Sequence, residues 1–190
     1  MTLLTVKDLR KKYRNVISTE RGRFQKRLAE PPPRYARHDI FLAHPGLSRE
    51  SLLPVVLEIE AMGFRVCVDR HNLNNAARLP ADTEEWGLLR SLLDGSRCLL
   101  YVAPDEQRLA ASSAWLFGYM EHCTDKVAVL PVFERDTGTD IFQGEGLLSR
   151  YPYAGVARAM GEEADTLWVM HDPRKNINLD YWFSDRTLRP

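Results

Sequence analysis

The sequence predicts an α/β fold with an open parallel sheet of about five strands, helices on both faces, and an N-terminal amphipathic helix. Two observations carry this prediction. After residue 37, short apolar runs of strand length alternate with segments of helical periodicity. The strand-like runs are almost continuously apolar, as expected for parallel strands covered on both faces. Before residue 31, apolar side chains recur at three- and four-residue steps instead.

Residues 1–30 are predicted to form a basic amphipathic helix. Thr5 and Asp8 have the spacing of an N-terminal capping box. We expect a break near Gly22, because glycine weakens a helix interior. The apolar stripe consists of Val6, Leu9, Tyr13, Val16, Ile17, Phe24 and Leu28.

A proline-rich linker, residues 31–37, is predicted to follow, because Pro31-Pro32-Pro33 cannot continue a helix. Residues 38–190 then form the α/β domain. Its elements are expected in alternating order, so right-handed crossovers join parallel neighbours. The predicted strands are His38–Ala43, Phe64–Val68, Arg97–Ala103, Val127–Phe133 and, at a sheet edge, Thr166–Met170.

The helices of this domain are predicted from their spacing and end signals. Gly63 ends the first of them, and Pro54 suggests that it begins near Ser51, with the proline in its first turn. Residues 70–82 form a long polar loop, and 142–153 a short helix and turn. The predicted helices are Ser48–Met62, Thr83–Leu93 and about 113–123.

Composition is that of a water-soluble protein, with 44% hydrophobic and 27% charged residues among 190. No apolar run is long enough to cross a bilayer, so no membrane partner is expected. The three cysteines are odd in number and widely spaced. They indicate free thiols in a reducing compartment, which predicts a cytoplasmic protein.

Charge is divided unevenly along a chain whose net charge is zero. Residues 1–37 hold eleven Lys and Arg against three Asp and Glu. This basic arm could fold back on its own body, bind the body of a second copy, or bind an anionic partner. We favour the first two. Nucleic acid is not an expected partner, because only Tyr13 and Phe24 could stack on bases before the linker.

Ligands of an open parallel sheet bind beyond the carboxyl ends of its strands. This rule selects Ala43 and His44, Asp69, residues 103–105, and the helix entry at Ser112. His44 could act as a base or contact a phosphate, although a histidine that only forms a turn is the commoner case. The sequence has no glycine-rich phosphate loop and no histidine–cysteine spacing for a metal, so no prosthetic group is predicted.

Several further segments occur in a fixed order and spacing up to about residue 170: Leu79–Thr83, Leu89–Arg90, Ser96–Tyr101, Gly118–Tyr119, Val127–Val132, Phe142–Gly144 and Tyr151–Tyr153. Together with the first two strands, this set resembles the bacterial Toll/interleukin-1 receptor-like (TIR) domains, in particular a subgroup of phage-defence NAD-processing proteins. The resemblance implies a flavodoxin-like sheet and a role in immune signalling. The loop after Asp69 is similar to the family's BB loop, where Arg78 is a candidate phosphate contact.

The resemblance also implies NAD⁺ chemistry. Many TIR domains cleave the bond between nicotinamide and ribose, giving ADP-ribose, cyclic ADP-ribose or isomers of it. A glutamate early in the third helix of the domain stabilises the oxocarbenium-like ribose. An ungapped alignment on Gly118-Tyr119 places Ser112 and Trp115 on two tryptophans of the family motif and Leu116 on the glutamate. An aromatic side chain such as Trp115 would help to hold the nucleotide.

Three hypotheses on function follow. The first is a TIR-like module that binds NAD⁺ or a related nucleotide, or assembles with itself or a defence partner, with NAD⁺ cleavage impaired by Leu116. The second is an active NAD⁺ glycohydrolase or cyclase that uses a displaced acid, Glu121. That residue points roughly 140° away from Leu116 on an ideal helix. The third is a non-catalytic scaffold that docks through its N-terminal helix.

Overall fold

The computed structural model of the chain shows a mixed sheet between two layers of helices. The described residues are 2–30, 32–33, 35–70, 80, 82–105, 109, 111–136, 138–139, 141–172 and 175–184.

Eight strands are present in the described part of the chain. They are β1 (Leu4–Thr5), β2 (His38–Ala43), β3 (Val66–Val68), β4 (Ser96–Ala103), β5 (Val127–Phe133), β6 (Tyr153–Arg158), β7 (Asp165–Asp172) and β8 (Lys175–Asn178).

The helices of the described residues alternate with the strands from β2 to β5. None of them is long and apolar enough to cross a membrane. They are α1 (Val6–Lys12), α2 (Arg14–Ala29), α3 (Arg49–Ala61), α4 (Thr83–Asp94), α5 (Ala111–Thr124) and α6 (Leu179–Trp182), with a 3-10 helix at Gly146–Arg150.

The strand order is β3-β2-β4-β5-β6-β7-β8, and β2 to β6 pair in parallel. Counted from β2, the five parallel strands have the order 2-1-3-4-5 of flavodoxin-like sheets. The predicted fold class is therefore confirmed. The strands β7 and β8 extend the sheet in antiparallel pairing.

Alternate side chains of each central strand enter different cores. In β4, Leu100 and Val102 belong to the core under α1, α2, α3 and α6. Leu99 and Tyr101 belong to the core under α4 and α5. All four are at most 1% exposed, which explains why the strand is apolar throughout.

The prediction of the last strands was wrong in one respect. The fifth parallel strand is β6, Tyr153–Arg158, and we predicted no strand there: the predicted short helix and turn ended at Tyr153. The predicted strand Thr166–Met170 lies within β7 and runs antiparallel to β6. The sequence of β6 contains Ala, Gly and Ala, residues with low strand propensity, so the pattern gave no signal there.

Two details of the predicted helices also differ. The break in the N-terminal helix lies at Tyr13, whereas α2 continues through Gly22. A Cβ atom at Gly22 would meet nothing within 4 Å, so this glycine has only its modest intrinsic cost in a helix. The helix α3 begins at Arg49, capped by Ser48, so Pro54 lies beyond its first turn.

The N-terminal segment is built into the sheet. Leu4 and Thr5 of β1 pair in parallel with the end of β5, and Thr2 bridges to Val156 of β6. The strands β5 and β6 pair only at Val129 and Tyr153, so β1 lies where they separate. The first helix therefore starts from a fixed position beside the carboxyl end of β5.

The basic arm folds back on the chain's own body, which was the first of the three alternatives considered from the sequence. Lys12 reaches Glu58 at 2.7 Å, Arg21 reaches Glu50 at 2.7 Å, and Arg27 reaches Glu60 at 2.7 Å. All three carboxylates belong to α3. The carboxylate of Glu58 is buried, whereas the pairs of Arg21 and Arg27 are more exposed. Exposed ion pairs contribute at most about 1 kcal/mol each, so those two set the register of the helices more than their stability.

The apolar stripe of α2 supplies the larger contribution to stability. Phe24 is 5% exposed in the core of α1 to α3. We expect Phe24→Ala to lower the free energy of unfolding by about 3–5 kcal/mol, because it leaves a cavity in that core. Chemical denaturation measures the change. The control is Val16→Ala on the same helix, where the side chain is 42% exposed and the expected change is within about 0.5 kcal/mol. Equal effects of the two substitutions would contradict this packing.

Candidate functional site

At the carboxyl edge of the sheet the chain changes direction between β2 and β4, and we call the region beyond this switch point the crevice. From β2 the chain continues to β3 on one side, whereas β4 leads to β5 on the other. Ala43 at the end of β2 is fully buried and pairs with Tyr101 of β4. Such a switch point is where ligands bind in open α/β sheets.

His44 forms the turn on one side of this crevice. Its Nδ1 accepts hydrogen bonds from the backbone N–H groups of Gly46 (3.3 Å) and Leu47 (3.1 Å). Its Nε2 lies 3.0 Å from the carbonyl oxygen of Asp69. Because Nδ1 accepts, Nε2 carries the proton and donates to Asp69. Both ring nitrogens are thus engaged, and the ring is fully buried.

The role of His44 is therefore to join two strand ends. The bond to Asp69 ties the end of β2 to the end of β3, and the bonds from Gly46 and Leu47 hold the turn through which the chain enters α3. Burial lowers the pKa of His44, although the Asp69 carboxylate opposes this effect. This geometry favours a histidine that holds the turn over one that acts as a base toward a ligand.

Asp69 and Ser112 lie on the two flanks of the crevice. Asp69, directly after β3, is 2% exposed, and Ser112 in the first turn of α5 is 6% exposed. The structure thus brings Ala43, His44, Asp69 and Ser112 to one edge. Arg78 lies outside the described residues.

Tyr101 and Ser113 are two further polar residues at this edge that the sequence did not single out. Burial raises the pKa of Tyr101 to about 12. Ser113 is fully buried. The only signal in the sequence was the hydroxyl group of Tyr101 within an otherwise apolar strand. That signal does not distinguish a tyrosine of a binding site from a tyrosine of the core.

Leu116 belongs to the core on this side of the sheet. Its side chain is 3% exposed and lies in the same apolar cluster as Phe117 and Met120. Position 116, where the resemblance predicts the family's glutamate, therefore presents a hydrocarbon in apolar surroundings. It provides neither negative charge nor a hydrogen-bond acceptor for a ribose.

Trp115 takes part in an aromatic row between α4 and α5. Its ring is 4.7 Å from Trp86 in an edge-on arrangement and stacks on Tyr119 at 5.1 Å. Arg90 lies over Trp86 at 5.8 Å. These contacts attach the two helices to each other. The tryptophan is thus engaged in helix packing, and a nucleotide contact would have to use its remaining exposed part.

Glu121 lies far along α5 from the crevice. Nine residues separate it from Ser112, which corresponds to about 13 Å of helix. Its Oε2 accepts a hydrogen bond from the hydroxyl of Tyr151 at 3.0 Å. Burial raises the pKa of Tyr151 to about 12, and the Glu121 carboxylate adds to the rise. The structure does not bring Glu121 together with Asp69 and Ser112.

No protein-family model matches the sequence. The chain is similar to the probable 3′ cyclic ADP-D-ribose synthase ThsB′ of Bacillus cereus (strain MSX-D12). The two are 25% identical over 145 residues, which cover 76% of this chain and 75% of the relative.

The buried ring of His44 predicts a pH dependence of stability. Because folding lowers the pKa of His44, its contribution is complete above the unfolded pKa of about 6.5 and is lost as the pH falls below that value. His44→Asn does not titrate but can still accept the turn hydrogen bond. We expect the wild type to lose more unfolding free energy than this variant between about pH 7.5 and about pH 5.5.

Urea denaturation at the two pH values measures this difference. The variant His38→Asn is measured in the same way, because burial and two neighbouring arginines also lower the pKa of His38. Its unfolding free energy shows how much of the wild-type pH dependence comes from that second histidine. Identical pH dependence of the wild type and the His44 variant would contradict the neutral, buried ring.

Proposed function

We propose that the chain is a TIR-like protein of the phage-defence kind and that it binds NAD⁺ at the carboxyl edge without cleaving it efficiently. The similarity to a cyclic ADP-ribose synthase supports an NAD-related role. The buried Leu116 is the observation that supports impaired chemistry.

Departure of nicotinamide leaves positive charge on the ribose. A carboxylate beside the ribose stabilises that charge in a site from which water is excluded. The leucine at position 116 cannot do so, and its apolar neighbours make the surroundings less favourable to a cation. The binding energy at this edge would therefore hold NAD⁺ without lowering the barrier to bond cleavage.

In this proposal, Asp69 recognises the ribose hydroxyls. It follows β3 at the edge of the crevice, and the carbonyl oxygen of the same residue accepts the His44 hydrogen bond. His44 acts as a positioning residue, because its ring holds the backbone of both strand ends. Ser112 would provide a hydroxyl from the opposite flank.

Asp69→Asn should weaken NAD⁺ binding about tenfold, because a charge-assisted hydrogen bond becomes a neutral one. Isothermal titration calorimetry with the full chain measures the affinity. Asp165→Asn is the control, since that carboxylate pairs with Arg158 on the β6–β7 hairpin. Unaltered affinity in the Asp69 variant, or no NAD⁺ binding by the wild type, would exclude this role of the edge.

An active synthase is the second candidate, and the similarity to ThsB′ is the observation that favours it. Glu121 is its proposed acid. To act there, its carboxylate would have to leave Tyr151 and meet a ligand bound about 13 Å along the helix from Ser112. The first candidate requires no such movement.

Glu121→Gln should leave nicotinamide release from NAD⁺ at the wild-type level, and that level should not exceed the spontaneous rate. Chromatographic detection of nicotinamide at high protein concentration measures it. Tyr151→Phe is the matched control, because it removes the hydrogen bond but keeps the carboxylate. Turnover by the wild type and the Tyr151 variant that is lost in the Glu121 variant would establish the synthase. Turnover lost instead in Asp69→Asn would assign the acid to the crevice.

A further inference from the structure

A cavity of about 460 Å³ lies between α1, α2 and α3, outside the crevice described above. Arg10 of α1, Arg14 and Arg21 of α2, and Arg49 of α3 contribute to its walls. A volume of this size is within the range of small-molecule sites, which is about 300–1,000 Å³. The basic arm and the body thus form a half-open pocket at the point where they meet.

Positive charge is not balanced within this cavity. Glu50 is the carboxylate among the described lining residues, and it pairs with Arg21 at 2.7 Å. Arg10 donates to the hydroxyl of Ser51 at 3.2 Å. Arg14 and Arg49 have no ion pair or hydrogen bond with another described residue. Arg49 also begins α3, a helix end that favours anions.

The floor of the cavity is apolar. Ile17, Phe24 and Leu53 line it, and the last two are 5% and 4% exposed. A lone phosphate ion would occupy a small part of this volume and would leave the floor without a partner. A ligand with both an apolar ring and anionic groups would use both surfaces.

We propose that this cavity binds a phosphorylated nucleoside, with its base on the apolar floor and its phosphates against Arg14 and Arg49. Planar guanidinium groups bind phosphate oxygens through paired hydrogen bonds. Arg14 and Arg49 would give up no partner among the described residues on doing so. The site is independent of NAD⁺ binding at the carboxyl edge, since the two share no residue.

The test is calorimetric titration of the full chain with ADP. The double variant Arg14→Gln/Arg49→Gln should bind ADP at least about tenfold more weakly than the wild type, because charge-assisted bonds to phosphate are lost. Its control is Lys11→Gln/Arg23→Gln, which removes the same charge from exposed positions of α1 and α2 that do not line the cavity. The control should bind ADP as the wild type does. Thermal denaturation of each variant confirms that it is folded.

Three probes separate the parts of the ligand. ADP should bind more tightly than inorganic pyrophosphate, and adenosine should bind most weakly. Pyrophosphate as tight as ADP would overturn the nucleoside assignment, and adenosine as tight as ADP would overturn the phosphate assignment. Equal losses in both double variants would show a general charge effect and would also overturn the site, as would absence of ADP binding to the wild type.

Asp69→Asn distinguishes this site from the carboxyl edge. It should leave the arginine-dependent binding of ADP unchanged, whatever its effect on NAD⁺. Loss of ADP binding in that variant, with binding retained in Arg14→Gln/Arg49→Gln, would assign ADP to the crevice and overturn the cavity proposal.

Discussion

The pairing of β2 with β4 is the constraint on which the rest of the structure depends. It joins residues far apart in sequence, with Ile40 beside Cys98 and Ala43 beside Tyr101. Since both strands are buried on both faces, a shift of one residue would exchange the contents of the two cores. The same pairing creates the crevice, because the chain leaves β2 and β4 in opposite directions along the sheet. The same strand pairing therefore determines both the fold and the position of the candidate site.

The central strands could be predicted from sequence because two-sided burial requires continuous apolar runs, such as that from Cys98 to Ala103. The strand β6 could not, because its Ala154 and Gly155 carry little strand preference and its place is set by neighbours. Pairing with β7 along its whole length, from Tyr153 to Arg158, holds it in the sheet. Local propensity was overridden by tertiary contacts.

The candidate site was predicted in part. Topology placed Ala43, His44, Asp69 and Ser112 at one edge, because the carboxyl ends of parallel strands meet there. Topology did not predict that both ring nitrogens of His44 would form hydrogen bonds with backbone groups, because the sequence does not specify the shape of a turn. It also did not single out Tyr101 of β4 and Ser113 of α5, which are both buried. Helical spacing gave the direction of Glu121 but not its partner, Tyr151.

Buried apolar side chains and ion pairs both attach the N-terminal arm to the body, and their contributions differ. Apolar side chains such as Phe24 and Leu28 supply most of the stabilisation, because removing them from water is worth about 1.5–3 kcal/mol each. The ion pairs with α3 fix the angle and register at which those side chains enter. Arg70 adds to this by donating from Nε to the carbonyl oxygen of Leu28 at 2.7 Å, and so satisfies the end of α2. Because burial attaches the arm, attachment does not require every cation of the arm to be paired. Arg14 of α2 has no ion pair or hydrogen bond with another described residue, which an arm held by ion pairs alone could not allow without weakening its attachment.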